Sequence, residues 1–96
     1  MKLLSVKRST RKDKKWMAEF DTGKITHFGA IKPNGQPYDD YTLTKDKDQR
    51  ERYRSRHASG KNAKPDTADS LSYRLLWGES TSLQENIKQF KKKYNL

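Results

Sequence analysis

The spacing of apolar residues predicts a β-hairpin near the start of the chain. Residues 16–20 alternate between apolar and more polar side chains, as a half-buried strand does, and residues 25–30 provide its partner strand. Between them lies a turn in which Gly23 is expected to supply a positive φ. Residues 3–6 predict a further short strand. Residues 31–37, with two prolines around Asn-Gly, predict a surface loop.

A helical period replaces the alternation in the second half of the chain. A capping box at residues 82–85 opens a final amphipathic helix. Its apolar residues recur at i, i+4, i+7 and i+11, so they form one stripe that we expect to dock on the core: Leu83, Ile87, Phe90 and Tyr94. A preceding helix, capped by Asp66 or Thr67, is predicted to reach about Trp77, with Gly78 at the C′ position.

A third helix is predicted from about Lys45 to His57, with Thr44 as its N-cap, followed by a linker at residues 58–65. Tyr53 is its only large apolar side chain. Four basic side chains fall within roughly 80° of arc, a stripe that could follow a phosphate backbone: Lys47, Arg50, Arg54 and His57. The alternative is a solvated helix whose charges form i,i+4 pairs, namely Asp46–Arg50, Lys47–Glu51 and Asp48–Arg52.

Net charge favours a polyanionic partner. The 96-residue chain carries a formal charge of +10 and has a pI near 9.9, which points to nucleic acid or to an acidic protein surface. Residues 7–15, here called the basic arm, contain six cations opposed only by Asp13: Lys7, Arg8, Arg11, Lys12, Lys14 and Lys15. The arm is interpreted as a solvated loop, as a phosphate-gripping segment, or as a weak basic-cluster signal for nuclear import.

Composition limits the chain to one small domain over residues 1–96. Only 30% of the residues are hydrophobic and 35% are charged, so we expect a core built largely on aromatic side chains: Trp16, Phe20, Phe28, Tyr73, Trp77 and Phe90. The predicted fold class is α+β, a small antiparallel sheet packed with two or three helices. The predicted regions are the hairpin region at 1–30, a loop at 31–44 and a helical region at 45–96.

No motif in the sequence favours catalysis. Cysteine is absent, and there is no HExxH, P-loop or nucleophile-elbow motif. Polar surface positions explain His27, His57, Asp39 and Asp40 more simply than a metal or general-base cluster. We therefore expect a protein that is not an enzyme and has no cofactor or metal. The apolar start is too short for a signal peptide or a membrane span, so no membrane partner is expected.

Several short motifs occur in a recognisable order: FGA (28–30), DYT (40–42), KD (45–46), RY (52–53), RH (56–57), LLWG (75–78) and the SLQENIKQF helix (82–90). With these motifs the chain resembles a family of small basic proteins encoded by nucleocytoplasmic large DNA viruses, over about residues 16–95. The resemblance implies a viral setting and not a mechanism. It places the protein in the virion, and in the host cytoplasm or nucleus during infection.

Two functions are expected. The first is binding of nucleic acid, above all double-stranded DNA, through the phosphate backbone without sequence specificity, in genome packaging or the virion core. The basic arm and the four-residue stripe of the predicted 45–57 helix would make the contacts. The alternative is a minor capsid or cementing protein whose basic surface contacts acidic surfaces of other virion proteins. The sequence does not place the arm relative to the stripe.

Overall fold

Three antiparallel strands form the sheet in a computed structural model that describes residues 1–96. In the order β1–β2–β3 they are Leu3–Arg8, Lys14–Phe20 and Ile25–Ala30. The predicted hairpin is confirmed, because Trp16 lies opposite Phe28 and Gly23 has φ +90° in the turn. Strand β1 continues beyond the predicted residue 6, since Lys7 and Arg8 pair with β2. Part of the basic arm is therefore strand.

The predicted helix corresponds to α2 at Lys47–Arg56, and a separate single-turn helix, α1 at Tyr41–Thr44, lies in the segment predicted as loop, residues 31–44. The prediction that Thr44 caps a helix beginning at Lys45 was wrong. Lys45 takes a left-handed conformation with φ 57°, which ends α1. The Asp46 carboxylate then accepts hydrogen bonds from two amides in the first turn of α2 and caps it. The left-handed Lys45 thus separates α1 from α2, and α2 begins two residues later than predicted.

The helical region contains three further α-helices and one π-helix: α3 at Ser59–Asn62, α4 at Ala68–Leu71, the π-helix at Ser72–Leu76, and α5 at Leu83–Tyr94. Helix α3 is a single turn inside the predicted linker. Thr67 caps α4 as predicted, through the amide of Ser70. Gly78 follows the helical segment, but it does not have the positive φ of a left-handed C′ glycine. An added Cβ would instead collide with the carbonyl oxygen of Arg74 and lie 2.9 Å from the Asn86 side chain.

The core lies between the sheet and the segment formed by α4, the π-helix and α5, and this α+β arrangement confirms the predicted fold class. Five of the six predicted aromatic core residues are buried: Phe20, Phe28, Tyr73, Trp77 and Phe90. Trp16 is half-buried and packs against the core. The stripe of α5 docks as predicted, with Phe90 buried and its other members partly buried around it. Five α-helices are present where two or three were expected, but three of them are single turns.

Asn86 is the polar residue that attaches α5 to the chain before it. Its side-chain amide donates to the carbonyl oxygens of Leu75 at 2.9 Å and Ser80 at 2.7 Å. Its side-chain oxygen accepts from the Ser80 amide at 2.9 Å. Asn86 is fully buried, and these three hydrogen bonds satisfy the amide group where water cannot reach it. The residue lies on the same face as Leu83 and Phe90, so the apolar stripe has a polar member.

Candidate functional site

The basic arm forms the end of the β1–β2 hairpin: Lys7 and Arg8 belong to β1, Lys14 and Lys15 belong to β2, and residues 9–13 form the turn between them. Ser9 holds its turn, because the Ser9 amide donates to the carbonyl oxygen of Lys15 at 3.1 Å and its hydroxyl lies 2.7 Å from Nδ1 of His27. Arg11 forms an exposed ion pair with Asp13, and Lys15 forms a buried pair. The remaining four cations of the arm form no ion pair: Lys7, Arg8, Lys12 and Lys14.

Lys15 and Asp40 join the arm to α1. The Nζ of Lys15 lies 2.6 Å from the Asp40 carboxylate, and the two side chains are only 10% and 2% exposed. Asp40 also caps α1, since its carboxylate accepts from the Thr42 amide at 2.8 Å. A buried charge without a partner is strongly unfavourable, so each member of this pair requires the other. The Lys15 charge is therefore compensated inside the protein.

Arg50 faces inward from α2. Its side chain is 12% exposed, and its Nε–H donates to the carbonyl oxygen of Gly78 at 2.6 Å. The guanidinium forms ion pairs with Glu51 and with Glu79, the latter at 3.2 Å, and lies 5.5 Å from the centre of the Tyr41 ring. Arg50 thus connects α2 to the turn that follows the π-helix. The positive charge of Arg50 is therefore balanced by acidic groups of the protein itself.

Arg54 faces the same way. Its guanidinium pairs with Glu79 at 3.2 Å and lies over the Tyr73 ring, 4.6 Å from its centre, with the side chain 17% exposed. Burial acts to lower the pKa of Arg54, but its interactions with Tyr73 and Glu79 outweigh burial and raise the pKa above its ordinary value. Glu79 therefore forms ion pairs with two arginines that lie on one face of α2.

Tyr53 explains why this face of α2 turns inward. Arg50, Tyr53, Arg54 and His57 follow the i, i+3, i+4, i+7 spacing of one helix face. Since Tyr53 is the only large apolar side chain of α2, packing it against the core carries Arg50 and Arg54 inward with it. None of the predicted i,i+4 pairs of α2 forms. Its exposed cations are Lys47, Arg52 and Arg56.

A cleft of about 710 Å³ separates the end of the sheet from α2 and α4. It brings together the two groups that the sequence could not place, because Lys14 and Lys15 of the basic arm and His57 after α2 all line it. Lys32 and Arg56 add two cations to the wall, and neither forms an ion pair. The other predicted contact residues lie outside the cleft: Lys7, Arg8, Arg11, Lys12, Lys47, Arg50 and Arg54.

Three stacked rings form one wall of the cleft. The rings of Tyr53 and Trp77 lie 4.3 Å apart at 8°, and those of Tyr53 and His57 lie 4.2 Å apart at 19°. Trp77 is buried, Tyr53 is half-buried, and His57 is exposed. Burial, with a smaller contribution from the charge of Asp69, raises the pKa of Tyr53 to about 12. The stack therefore extends from the core to the protein surface.

Sequence reasoning missed four residues of this cleft, Lys32, Tyr38, Tyr53 and Arg56, and it assigned Trp77 to the core. The i,i+4 spacing of Tyr53 and His57 was a readable sign of a helical aromatic pair. The sequence could not predict that Lys32 and Tyr38 line the same cleft as this pair, because their position depends on the path of the 31–40 loop. No group of three or more His, Asp or Glu side chains is arranged to hold a metal ion. None of the helices combines the length and apolar character of a membrane span.

Residues 4–57 match the model of a family of unknown function (DUF5754). The matched segment contains α1, α2 and all of the sheet except Leu3, and it ends at His57. It thus includes the basic arm and two of the three stacked rings, while Trp77 lies beyond it. No curated protein and no solved structure matches the chain.

Proposed function

We propose a function for this chain, which belongs to DUF5754, a family of unknown function: it binds nucleic acid through the phosphate backbone without sequence specificity. One observation carries the proposal. The chain has 22 Lys and Arg residues, and only five of them form ion pairs, so seventeen positive side chains have no acidic partner in the protein. Duplex DNA, with one negative charge per roughly 1.7 Å of its axis, offers the complementary surface.

The cations of the basic arm and of α2 that form no ion pair are the proposed phosphate contacts. They are Lys7, Arg8, Lys12, Lys14, Lys47, Arg52 and Arg56, and all but the half-buried Lys14 are exposed. Each phosphate that they neutralise releases condensed counterions, which makes the affinity fall as salt rises. Arg50 and Arg54 are not in this set, because Glu79 and neighbouring groups already hold their charges. In the viral setting that the sequence resemblance implies, such binding would serve genome packaging or the virion core.

A salt-titrated DNA-binding assay tests the proposal. Two duplexes of equal length and unrelated sequence should bind with equal affinity. For six neutralised phosphates the logarithm of the association constant should fall with the logarithm of salt concentration at a slope of about −5. Micromolar or tighter binding that barely changes between low and physiological salt would contradict the proposal, as would a marked preference for one sequence.

Matched variants separate local contacts from net charge. Lys12→Ala should reduce the slope by about 0.9, the value for one phosphate contact. Lys24→Ala removes the same charge, but Lys24 already pairs with Asp66 and lies in the turn at the opposite end of β2. It should change the slope little. An equal effect of the two variants would show that only overall charge matters.

The second candidate function is the minor capsid or cementing role. Exposed apolar side chains on the sheet favour it, because Leu4 of β1 is 60% exposed and Ile25 of β3 is 48% exposed. Ser5, next to Leu4, and Ile25 both lie opposite Glu19 of β2, so the two apolar residues lie near the same level of the sheet on its two edge strands. Fractionation of virions distinguishes the roles: the protein should remain with DNA in stripped cores if it packages the genome, and leave with shell proteins if it cements the capsid.

A further inference from the structure

The cleft beside His57 has features that phosphate binding alone does not use. Exposed lysines on any surface can neutralise a backbone, whereas this cleft joins a stack of three rings to cations on its rim. We infer that the cleft takes one unpaired nucleobase, stacked on the exposed face of the His57 ring. The inference rests on the proposed nucleic-acid binding, and it names a single-stranded segment as the substrate at this site.

The ring stack is already built for such a ligand. Trp77 is buried in the core, Tyr53 is parallel to it within 8°, and His57 covers the other face of Tyr53. One face of the His57 ring is therefore packed, while the residue itself is exposed. A ring held in this way loses little conformational freedom when a base stacks on it, so it is a suitable stacking surface. Base stacking on aromatic side chains tolerates every base, which agrees with binding that ignores sequence.

The charges around the stack fit a nucleotide better than a free phosphate. Lys14, Lys32 and Arg56 line the cleft without ion pairs, and they can hold the phosphates on either side of a stacked base. Asp39 and Asp69 line the same cleft, also without ion pairs. Carboxylates repel a bare phosphate, but they accept hydrogen bonds from the amino groups of bases. The mixture of charges thus points to a base with its flanking phosphates.

The size of the cleft is consistent with that ligand. Its volume of about 710 Å³ lies within the range of pockets that hold drug-sized molecules, and a nucleotide is of that size. In a duplex the faces of each base are covered by its neighbours, so a paired base cannot reach His57 without leaving the stack. An unpaired strand has no such cost. Single strands should therefore use the cleft, and duplexes should use only the exposed cations.

The test compares two single strands that have the same number of phosphates, one with bases and one made of abasic nucleotides. The native chain should bind the strand with bases roughly 5- to 150-fold more tightly, the range expected for stacking one base. A strand that contains 2-aminopurine should lose fluorescence when its base stacks in the cleft. His57→Ala should abolish most of the difference between the two strands. His57 is exposed at the end of α2, so circular dichroism should show an intact fold.

Two further variants separate the ring of His57 from its charge. His57→Phe keeps a stacking face and should retain the preference for the strand with bases, whereas His57→Lys keeps a cation without a ring and should lose it. If His57→Lys kept the preference for the strand with bases and His57→Phe lost it, the inference would be overturned. Equal affinity of the native chain for the two strands would also overturn it, but a steep salt dependence would then leave the proposed function standing. Failure to bind any strand or duplex at low salt would refute both.

Discussion

Replacing Arg50 with alanine is the most direct test of the inward orientation of α2. The substitution removes the donor to the carbonyl oxygen of Gly78, the ion pair with Glu79 and the contact with the Tyr41 ring. It also leaves the Gly78 carbonyl without its 2.6 Å partner in a partly buried position. If Arg50 instead pointed to solvent and contacted phosphate, Arg50→Ala would remove none of these interactions. It would then weaken nucleic-acid binding and leave the free energy of unfolding unchanged.

The expected cost follows from the individual contacts. A hydrogen bond from a charged donor contributes about 1.5–3 kcal/mol. The cation–π contact adds about 0.5–1 kcal/mol, and the pair with Glu79 adds little because that side chain is 69% exposed. We therefore expect Arg50→Ala to lower the free energy of unfolding by about 2–4 kcal/mol. In a domain of this size that loss lowers Tm by roughly 10 °C or more.

Urea denaturation followed by far-ultraviolet circular dichroism measures this difference. Lys47→Ala is the matched control, because Lys47 is exposed on the same helix, carries the same charge and has a similar helix propensity. It should change the free energy of unfolding by less than about 0.5 kcal/mol. Loss of stability that is equal in the two variants would refute the reasoning. In DNA binding the order should reverse, with Lys47→Ala reducing the salt slope and folded Arg50→Ala leaving it nearly unchanged.

Three further outcomes are expected. Gly78→Ala should destabilise the protein by more than about 2 kcal/mol in the same denaturation assay, because its Cβ has no space beside Arg74 and Asn86. Asn86→Ala should cost about 2–4 kcal/mol, since it leaves buried backbone groups without hydrogen bonds; a cost below about 1 kcal/mol would contradict the buried network. Tyr53 should ionise near pH 12 in an ultraviolet titration. Because the folded state then holds a proton that the unfolded state loses near pH 10, stability should fall between about pH 10 and 12, and Tyr53→Phe should remove that contribution.

The sequence was sufficient to predict each element whose structure depends mainly on its own residues. The hairpin follows from alternation and from Gly23, and α5 follows from its apolar stripe and its cap. The sheet and the aromatic core were predictable for the same reason. The single-turn helix α1 and the start of α2 were not predicted, because Lys45 adopts a left-handed conformation that a lysine only rarely takes. The sequence predicted a helix to about Trp77, but it did not predict that Ser72–Leu76 would form a π-helix.

The strands, the final helix, the aromatic core and the excess of positive charge follow from the order of the amino acids alone. Which of those charges are free depends on how the elements pack against one another. Periodicity places Arg50, Tyr53, Arg54 and His57 on one face of α2, but it cannot say whether that face meets solvent or the core. The packing of Tyr53 between Trp77 and His57 decides this. It turns the arginines toward Glu79 and leaves His57 at the rim of the cleft, because the packing of one half-buried ring fixes the rotation of the whole helix.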